Sequence, residues 1–198
     1  MISIVDYGSG NLGSVQKALE HLGYPCQITD QSDEIMRATG LVLPGVGAFA
    51  SGMQGLEKRG LDQVIKAYVD TGKPFLGICL GMQLLFDSSE EGGDKGLSLI
   101  PGEVRRFSSG LGLKIRQMGW SDIIQTSDSL FSKGEYMYFV HSYYCCPQNI
   151  NDIAAKTEYG HAYACAVSRD NILAMQFHPE KSGEAGLAIL NRWARRTR

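Results

Sequence analysis

The stretch "PFLGICLGMQ", residues 74–83, places a single thiol, Cys79, between two glycines in an otherwise apolar run. A buried strand gains nothing from Gly77 and Gly81, because glycine costs backbone entropy and brings no side chain to pack. Free cysteine commonly serves as a small core hydrophobe, and the apolar run alone favours that role. The local pattern shifts the balance. Pro74 to Ile78 has the length and composition of a strand, whereas Leu80, Gln83, Leu84 and Asp87 fit one face of a helix beginning directly after Cys79. A nucleophile on such a strand-to-helix turn is held in strain, and flanking glycines let backbone approach it closely. The new helix turns its unpaired N–H groups and positive dipole end toward the side chain, which favours thiolate. The amide of Leu80, next after the nucleophile, can meet a developing oxyanion.

Upstream, strands alternate with helices. Ile2 to Tyr7 reads as a buried strand, and residues 11–22 as a helix with Val15, Ala18, Leu19 and Leu22 on one face, closed by Gly23. Pro25 to Thr29 is a second strand, 32–38 a short helix, "GLVLPG" a third strand, and 48–71 helical. This alternation implies parallel pairing with right-handed crossovers. Downstream, "DSSEEGGDKG" (87–96) is a polar loop, followed by short candidate strands at 102–106, 121–125, 135–140, 152–158, 163–168 and 171–176. Several of these pair antiparallel as an extension of the sheet. A last helix runs from Ser182 as N-cap to about Arg196. The expectation is one α/β domain over residues 1–198, with an open, mainly parallel sheet flanked by helices and carrying an antiparallel extension.

Composition narrows the function. With 198 residues and 43% hydrophobic content the chain can bury one sizeable core. A net charge of −2 offers no nucleic-acid footprint beyond the basic end at Arg192, Arg195, Arg196 and Arg198. No apolar run reaches membrane-spanning length and Met1 leads straight into a strand, so no membrane association and a cytoplasmic location are expected. Five cysteines without a CxxC pair suit reduced thiols, and the four histidines show no metal-ligand spacing.

In an open parallel sheet, chemistry belongs at the carboxyl ends of the strands. Cys79 ends one such strand, and His178 follows another, in "FHPEKS". Pro179 biases His178 toward extended backbone. With Glu180 extended as well, the carboxylate two residues on can orient the imidazole while the ring faces the thiol. Neutral histidine then accepts the thiol proton and returns it to a leaving amine. A lone His-Pro-Glu is more commonly a turn, and only its pairing with Cys79 makes a whole device. His21 and His161 read as surface groups; His141 is either a satisfied histidine or part of a substrate wall.

A rival lies at the front. "GSGNLG" (8–13) is a G-x-G-x-x-G after a strand, with Asp30 near the distance expected of a ribose-binding acid, so a nicotinamide dinucleotide-binding oxidoreductase is the competing reading. Asp6 would repel a pyrophosphate there, and the reading leaves Cys79 and His178 unused.

Taken together, "GICLGMQ" and "FHPEKS" resemble the class I, triad-type glutamine amidotransferases, whose fold is flavodoxin-like. With "DYGSGNL", "LPGVGAF" and "MGW" the resemblance, spanning residues 2–181, extends to the family of glutaminase subunits of imidazole glycerol phosphate synthase. It implies that Cys79 attacks the side-chain amide of glutamine to form a thioester, with His178 as base then acid and Glu180 as its orienter. It also implies that Gly45, Val46 and Gly47 form the oxyanion strand beside the Leu80 amide. Gln83 and Glu91 match residues holding the α-amino and α-carboxylate end of glutamine, with Ser142 and Tyr143 nearby; Glu90 is an alternative to Glu91. No cofactor is implied. The front loop becomes a glycine turn facing the synthase.

The resemblance further implies a heterodimer with a (β/α)₈-barrel cyclase, which takes ammonia through an internal passage and converts PRFAR to imidazole glycerol phosphate and AICAR in histidine biosynthesis. Asn11, Trp120, Tyr138 and Lys181 are the expected interface residues. Trp120 fits an interface or a core equally, and Lys181 fits an interface or a solvated loop. The oxyanion hole is expected to be incomplete in the chain alone. The alternatives are the same chemistry serving another synthase, the oxidoreductase above, and a non-catalytic α/β binding module.

Overall fold

The computed structural model of the chain describes residues 1–92, 95–108 and 114–198; Gly93 and Asp94, within the polar loop read at 87–96, lie outside the described residues. The first part follows the expected alternation: β1 (Ile2–Val5), α1 (Leu12–His21), β2 (Cys26–Thr29), α2 (Ser32–Arg37), β3 (Gly40–Leu43), α3 (Phe49–Lys58), α4 (Leu61–Asp70) and β4 (Phe75–Ile78). Every residue of β1, β3 and β4 is buried, including Ser3 of β1, so these strands read as nearly continuous apolar runs rather than alternating ones, as parallel strands covered on both faces do. Gly23, at φ 80°, ends α1, and Gly60, at φ 66°, divides the helical stretch 48–71 into α3 and α4.

After β4 come α5 (Leu80–Gln83), β5 (Ser88–Ser89), β6 (Gly102–Arg106), β7 (Gln117–Asp122), β8 (Gln125–Thr126) and β9 (Tyr136–His141). Then follow β10 (Tyr143–Pro147), β11 (Ile153–Glu158), β12 (Ala162–Arg169), β13 (Ile172–Met175) and α6 (Gly183–Ala194). The main sheet runs β2-β1-β3-β4-β13 in parallel and continues through β12, β10 and β6 in antiparallel, with β5 beside β6 and β11 and β8 branching from β12. β7 and β9 form a separate antiparallel pair.

Helices cover both faces. Val15 and Leu19 of α1 with Ile189, Leu190 and Trp193 of α6 pack with Ile2, Ile4 and Leu76. On the other face Ile35, Leu56, Ile65 and Tyr68 pack with Val5, Leu41, Leu43 and Phe75. Each fully buried Leu, Ile or Phe contributes about 1.5–3 kcal/mol relative to exposure. Among the described residues no helix is long and apolar enough to cross a membrane.

Three expectations need correction, and one strand was missed. The strand read at 121–125 straddles β7 and β8, and most of β7 lies earlier. β10 was not read at all. The helix after Cys79 is only four residues long, because the carbonyls of Leu84, Leu85 and Phe86 accept amides of residues 97–100 instead of continuing it. Ser182 precedes α6 but its side chain caps nothing; its hydroxyl donates to the His178 carbonyl at 2.6 Å.

Candidate active site

The segments after β1, β3, β4 and β13 meet at the carboxyl edge of the parallel sheet, and each brings a part of the site. Cys79 sits at the end of β4 with φ 54° and ψ −111°, a conformation that costs of order 1–3 kcal/mol for a residue with a Cβ. The flanking glycines are explained by close approach. A Cβ on Gly81 would lie 1.8 Å from the Leu43 carbonyl oxygen, and one on Gly77 would lie 3.0 Å from the Gly81 oxygen and 2.9 Å from the Ala174 Cβ. Only glycine permits the turn to fold flat against β3. The Cys79 amide donates to the Met175 carbonyl at 2.8 Å, tying the end of β4 to β13.

His178 follows β13. Its Nδ1 lies 2.8 Å from Glu180 Oε1, and both side chains are sealed from solvent, at 3% and 1% exposure. That leaves Nε2, buried and without a hydrogen-bond partner among the described residues, for the Cys79 side. Burial disfavours the charged imidazole, but the Cys79 and Glu180 partners outweigh it and raise the ring to about 9. β9 holds this segment from both sides: the His178 amide donates to the Tyr138 carbonyl at 3.0 Å, and the Tyr138 amide donates to Ser182 Oγ at 3.0 Å.

A cavity of about 290 Å³ opens in front of Cys79, lined by Val46, Gly47, Leu80, Gln83, Glu91, Ser142 and Tyr143, together with Arg116, Val140 and His141. Glu91, not Glu90, reaches it. Glu90 accepts the Arg106 amide at 2.7 Å away from the site, while Glu91 Oε2 accepts the Phe49 amide at the start of α3 at 2.8 Å. Gln83 is buried, and its Nε2 donates to the Tyr143 carbonyl at 3.1 Å and to Gln176 Oε1 at 3.0 Å. Gln176 in turn donates to Cys79 Sγ at 3.7 Å.

Leu80 and the 44–47 segment are arranged unexpectedly. The Leu80 amide donates to the Gly45 carbonyl at 3.3 Å, so this donor is already occupied. A Cβ on Gly45 would lie 2.0 Å from the Tyr7 hydroxyl, which donates to the Pro44 carbonyl at 2.9 Å. Ser9 Oγ donates to the Val46 carbonyl at 2.6 Å. The glycine loop at 8–13 is thus occupied in contacts with the 44–47 segment, and Asp6 accepts the Gly8 amide within it at 3.0 Å.

The expected interface residues lie outside the cavity. Asn11 is exposed before α1, and Lys181 is exposed in the turn Pro179–Lys181. Trp120 is 56% exposed and stands edge-on to Tyr138 with ring centroids 5.9 Å apart, which excludes the core role. Met118 and Tyr136, not singled out from the sequence, share this outer face and are 68% and 59% exposed. His21 is exposed as expected. His161 is not; it packs against Phe107, Tyr144 and Tyr163.

His141 proves to be both a satisfied histidine and a cavity wall, its ring nitrogens 2.7 Å from the Tyr143 carbonyl and 3.1 Å from the Tyr163 hydroxyl. Burial lowers it to about 4, against the opposing effect of the Tyr143 carbonyl. Arg116 and Gln176 were missed. Gln176 stands two residues before His178, the same spacing that flagged Glu180, which is the one signal that could have found it.

A family model described as glutamine amidotransferase class-I matches residues 3–196. The imidazole glycerol phosphate synthase subunit HisH of Moorella thermoacetica is 49% identical over 194 residues, covering 96% of this chain and 91% of that one. The protein of the same name from Syntrophotalea carbinolica is 50% identical over 200 residues, covering 96% and 97%. Among solved structures, a crystal structure of a glutamine amidotransferase superposes with a TM-score of 0.78 at 16% identity, covering 100% of this chain and 99% of that one. The PurLQS structure from Thermotoga maritima gives 0.73 at 19%, covering 98% and 97%. The chain belongs to the class-I glutamine amidotransferase family and, within it, to the family of imidazole glycerol phosphate synthase HisH subunits.

Proposed function

We propose that this chain is the glutaminase half of an imidazole glycerol phosphate synthase, and that Cys79, His178 and Glu180 perform the hydrolysis. The observation that carries the reading is the buried His178–Glu180 pair behind a strained Cys79 that faces an open cavity. Cys79 thiolate attacks the side-chain amide carbon of glutamine, and the carbonyl oxygen becomes an oxyanion. The C–N bond then breaks as the imidazolium of His178 gives its proton to the departing nitrogen, leaving a thioester and ammonia. Water attacks the thioester while His178 takes its proton; the C–S bond breaks, releasing glutamate and restoring thiolate beside imidazolium. Glu180 holds the ring tautomer and balances its charge throughout.

The released ammonia needs an acceptor, and we place a (β/α)₈ cyclase subunit over the outer face of β7 and β9. Met118, Trp120, Tyr136 and Tyr138 form an apolar surface there, continuous with the cavity through Val140. Asn11 and Lys181 complete the proposed contact, and the resulting assembly is a heterodimer. The HisH relatives favour this synthase over another glutamine-dependent one. Acid quenching during turnover of glutamine labelled in its carbon chain tests the chemistry. Label retained on the wild-type chain and absent from Cys79→Ala is expected; equal retention on both, or none on either, contradicts it.

A further inference from the structure

Free glutamine differs from other primary amides by carrying an ammonium and a carboxylate on its α-carbon, and a selective site must answer both charges. Gln83 and Glu91, the two side chains matched to that end from the sequence, offer acceptors only. Both hydrogens of Gln83 Nε2 are held, by the Tyr143 carbonyl and by Gln176, which leaves its Oε1 as the free atom. Glu91 is anionic, with one oxygen on the Phe49 amide. An ammonium suits both, and a carboxylate suits neither.

Among the described residues lining the cavity, Arg116 is the one cation. Its guanidinium makes no hydrogen bond or ion pair with the described residues, while its backbone amide is held by the Lys114 carbonyl at 2.9 Å. β7 begins at the next residue, and Gln117, 2% exposed, pairs with His141 on β9. Arg116, just before that ladder, lines the cavity together with Ser142. A guanidinium with free donors meets a carboxylate in a paired, planar contact that a lysine or a lone amide does not reproduce.

We propose that Arg116 binds the α-carboxylate of glutamine and sets the preference of the site for free glutamine over amides lacking that charge. The assignment rests on the glutaminase reading above. Its test compares glutamine with glutamine α-carboxamide as substrates for wild type, Arg116→Ala and Arg116→Lys, each assembled with the cyclase subunit. Because Arg116 is exposed, the variants are expected to keep the wild-type melting temperature.

Loss of a charged hydrogen-bond pair raises the KM of Arg116→Ala for glutamine about 10- to 100-fold, with kcat changed by less than about threefold. Its KM for the carboxamide stays near that of wild type, so the preference collapses, and Arg116→Lys recovers part of it. An Arg116→Ala enzyme with unchanged KM and preference overturns the assignment and leaves the carboxylate to backbone amides near Ser142 and Tyr143. A wild type that releases no glutamate, or a Cys79→Ala variant as active as wild type, overturns the glutaminase reading and this assignment with it.

Discussion

The carbonyl oxygen of Gly45 accepts the amide hydrogen of Leu80 at 3.3 Å. Leu80 follows the proposed nucleophile, and its amide is the donor proposed to meet the oxyanion; in the chain alone that donor is already taken by Gly45. The same peptide plane carries the Gly45 carbonyl and the Val46 amide. Turning it would free Leu80 and present a second donor. The expected outcome is that a crystal structure of the heterodimer with a glutamine analogue on Cys79 shows the Gly45 oxygen withdrawn from Leu80 and the Val46 amide facing the site. An unchanged Gly45–Leu80 contact there would contradict the gating.

The glycines around the nucleophile make a sharp contrast with one elsewhere. Gly81→Ala drives a Cβ to 1.8 Å from the Leu43 oxygen, and backbone cannot yield there without displacing Cys79. Thermal melting should show a loss of about 1–3 kcal/mol or more, accompanied by loss of glutaminase activity. Gly13 in α1 has nothing within 4 Å of its Cβ position. Gly13→Ala should be neutral or stabilising by up to about 1 kcal/mol, with activity retained.

His178, buried between Cys79 and Glu180, gives stability a definite pH signature. The folded ring titrates at about 9 against 6.5 unfolded, so its contribution is complete below pH 6.5 and is lost as pH rises toward about 9. Denaturation of wild type and His178→Asn across that range should show the stability gap between them narrowing. His141, lowered to about 4, acts with the opposite sign: it destabilises the fold as pH falls from 6.5 toward about 4, and His141→Gln should remove that dependence.

Gln176 links the substrate wall to the nucleophile, since it accepts from Gln83 and donates to Cys79 Sγ at 3.7 Å. Gln176→Leu removes that contact and leaves a Gln83 hydrogen without an acceptor, at a cost of about 1–3 kcal/mol in a buried setting. Steady-state kinetics should show kcat falling about tenfold or more, with a smaller change in KM. A variant with wild-type kcat would reduce Gln176 to a packing residue.

How much of this was readable depends on where the information lies. The nucleophile, its histidine and its carboxylate occupy two contiguous motifs whose glycines and proline have local backbone meaning, so they could be read before any folding was known. The parallel half was equally plain because β3 and β4 are unbroken apolar runs and β1 is interrupted only by Ser3. β7 was misplaced because its pattern is inverted. Gln117 faces inward to Tyr163, which donates to it at 2.6 Å, while Met118 and Trp120 face solvent. A strand with polar residues inside and apolar residues outside defeats an apolar-in pattern.

β10 went unread for a related reason: only Cys145 of its five residues is buried. Arg116 and Gln176 are single polar residues whose roles arise when β7, β9 and β13 bring distant segments to one cavity. No spacing along the chain announces that.

The most direct test of the central claim is glutamate release from glutamine by wild type and Cys79→Ala, each alone and with a cyclase subunit plus its nucleotide ligand. An occupied Leu80 donor predicts slow release by wild type alone and a rise of about 10²–10³ in kcat with the liganded partner, because one oxyanion donor is worth that much. Cys79→Ala should release none in either case. Full release by the unpartnered wild type, or release that survives the loss of Cys79, would contradict the account.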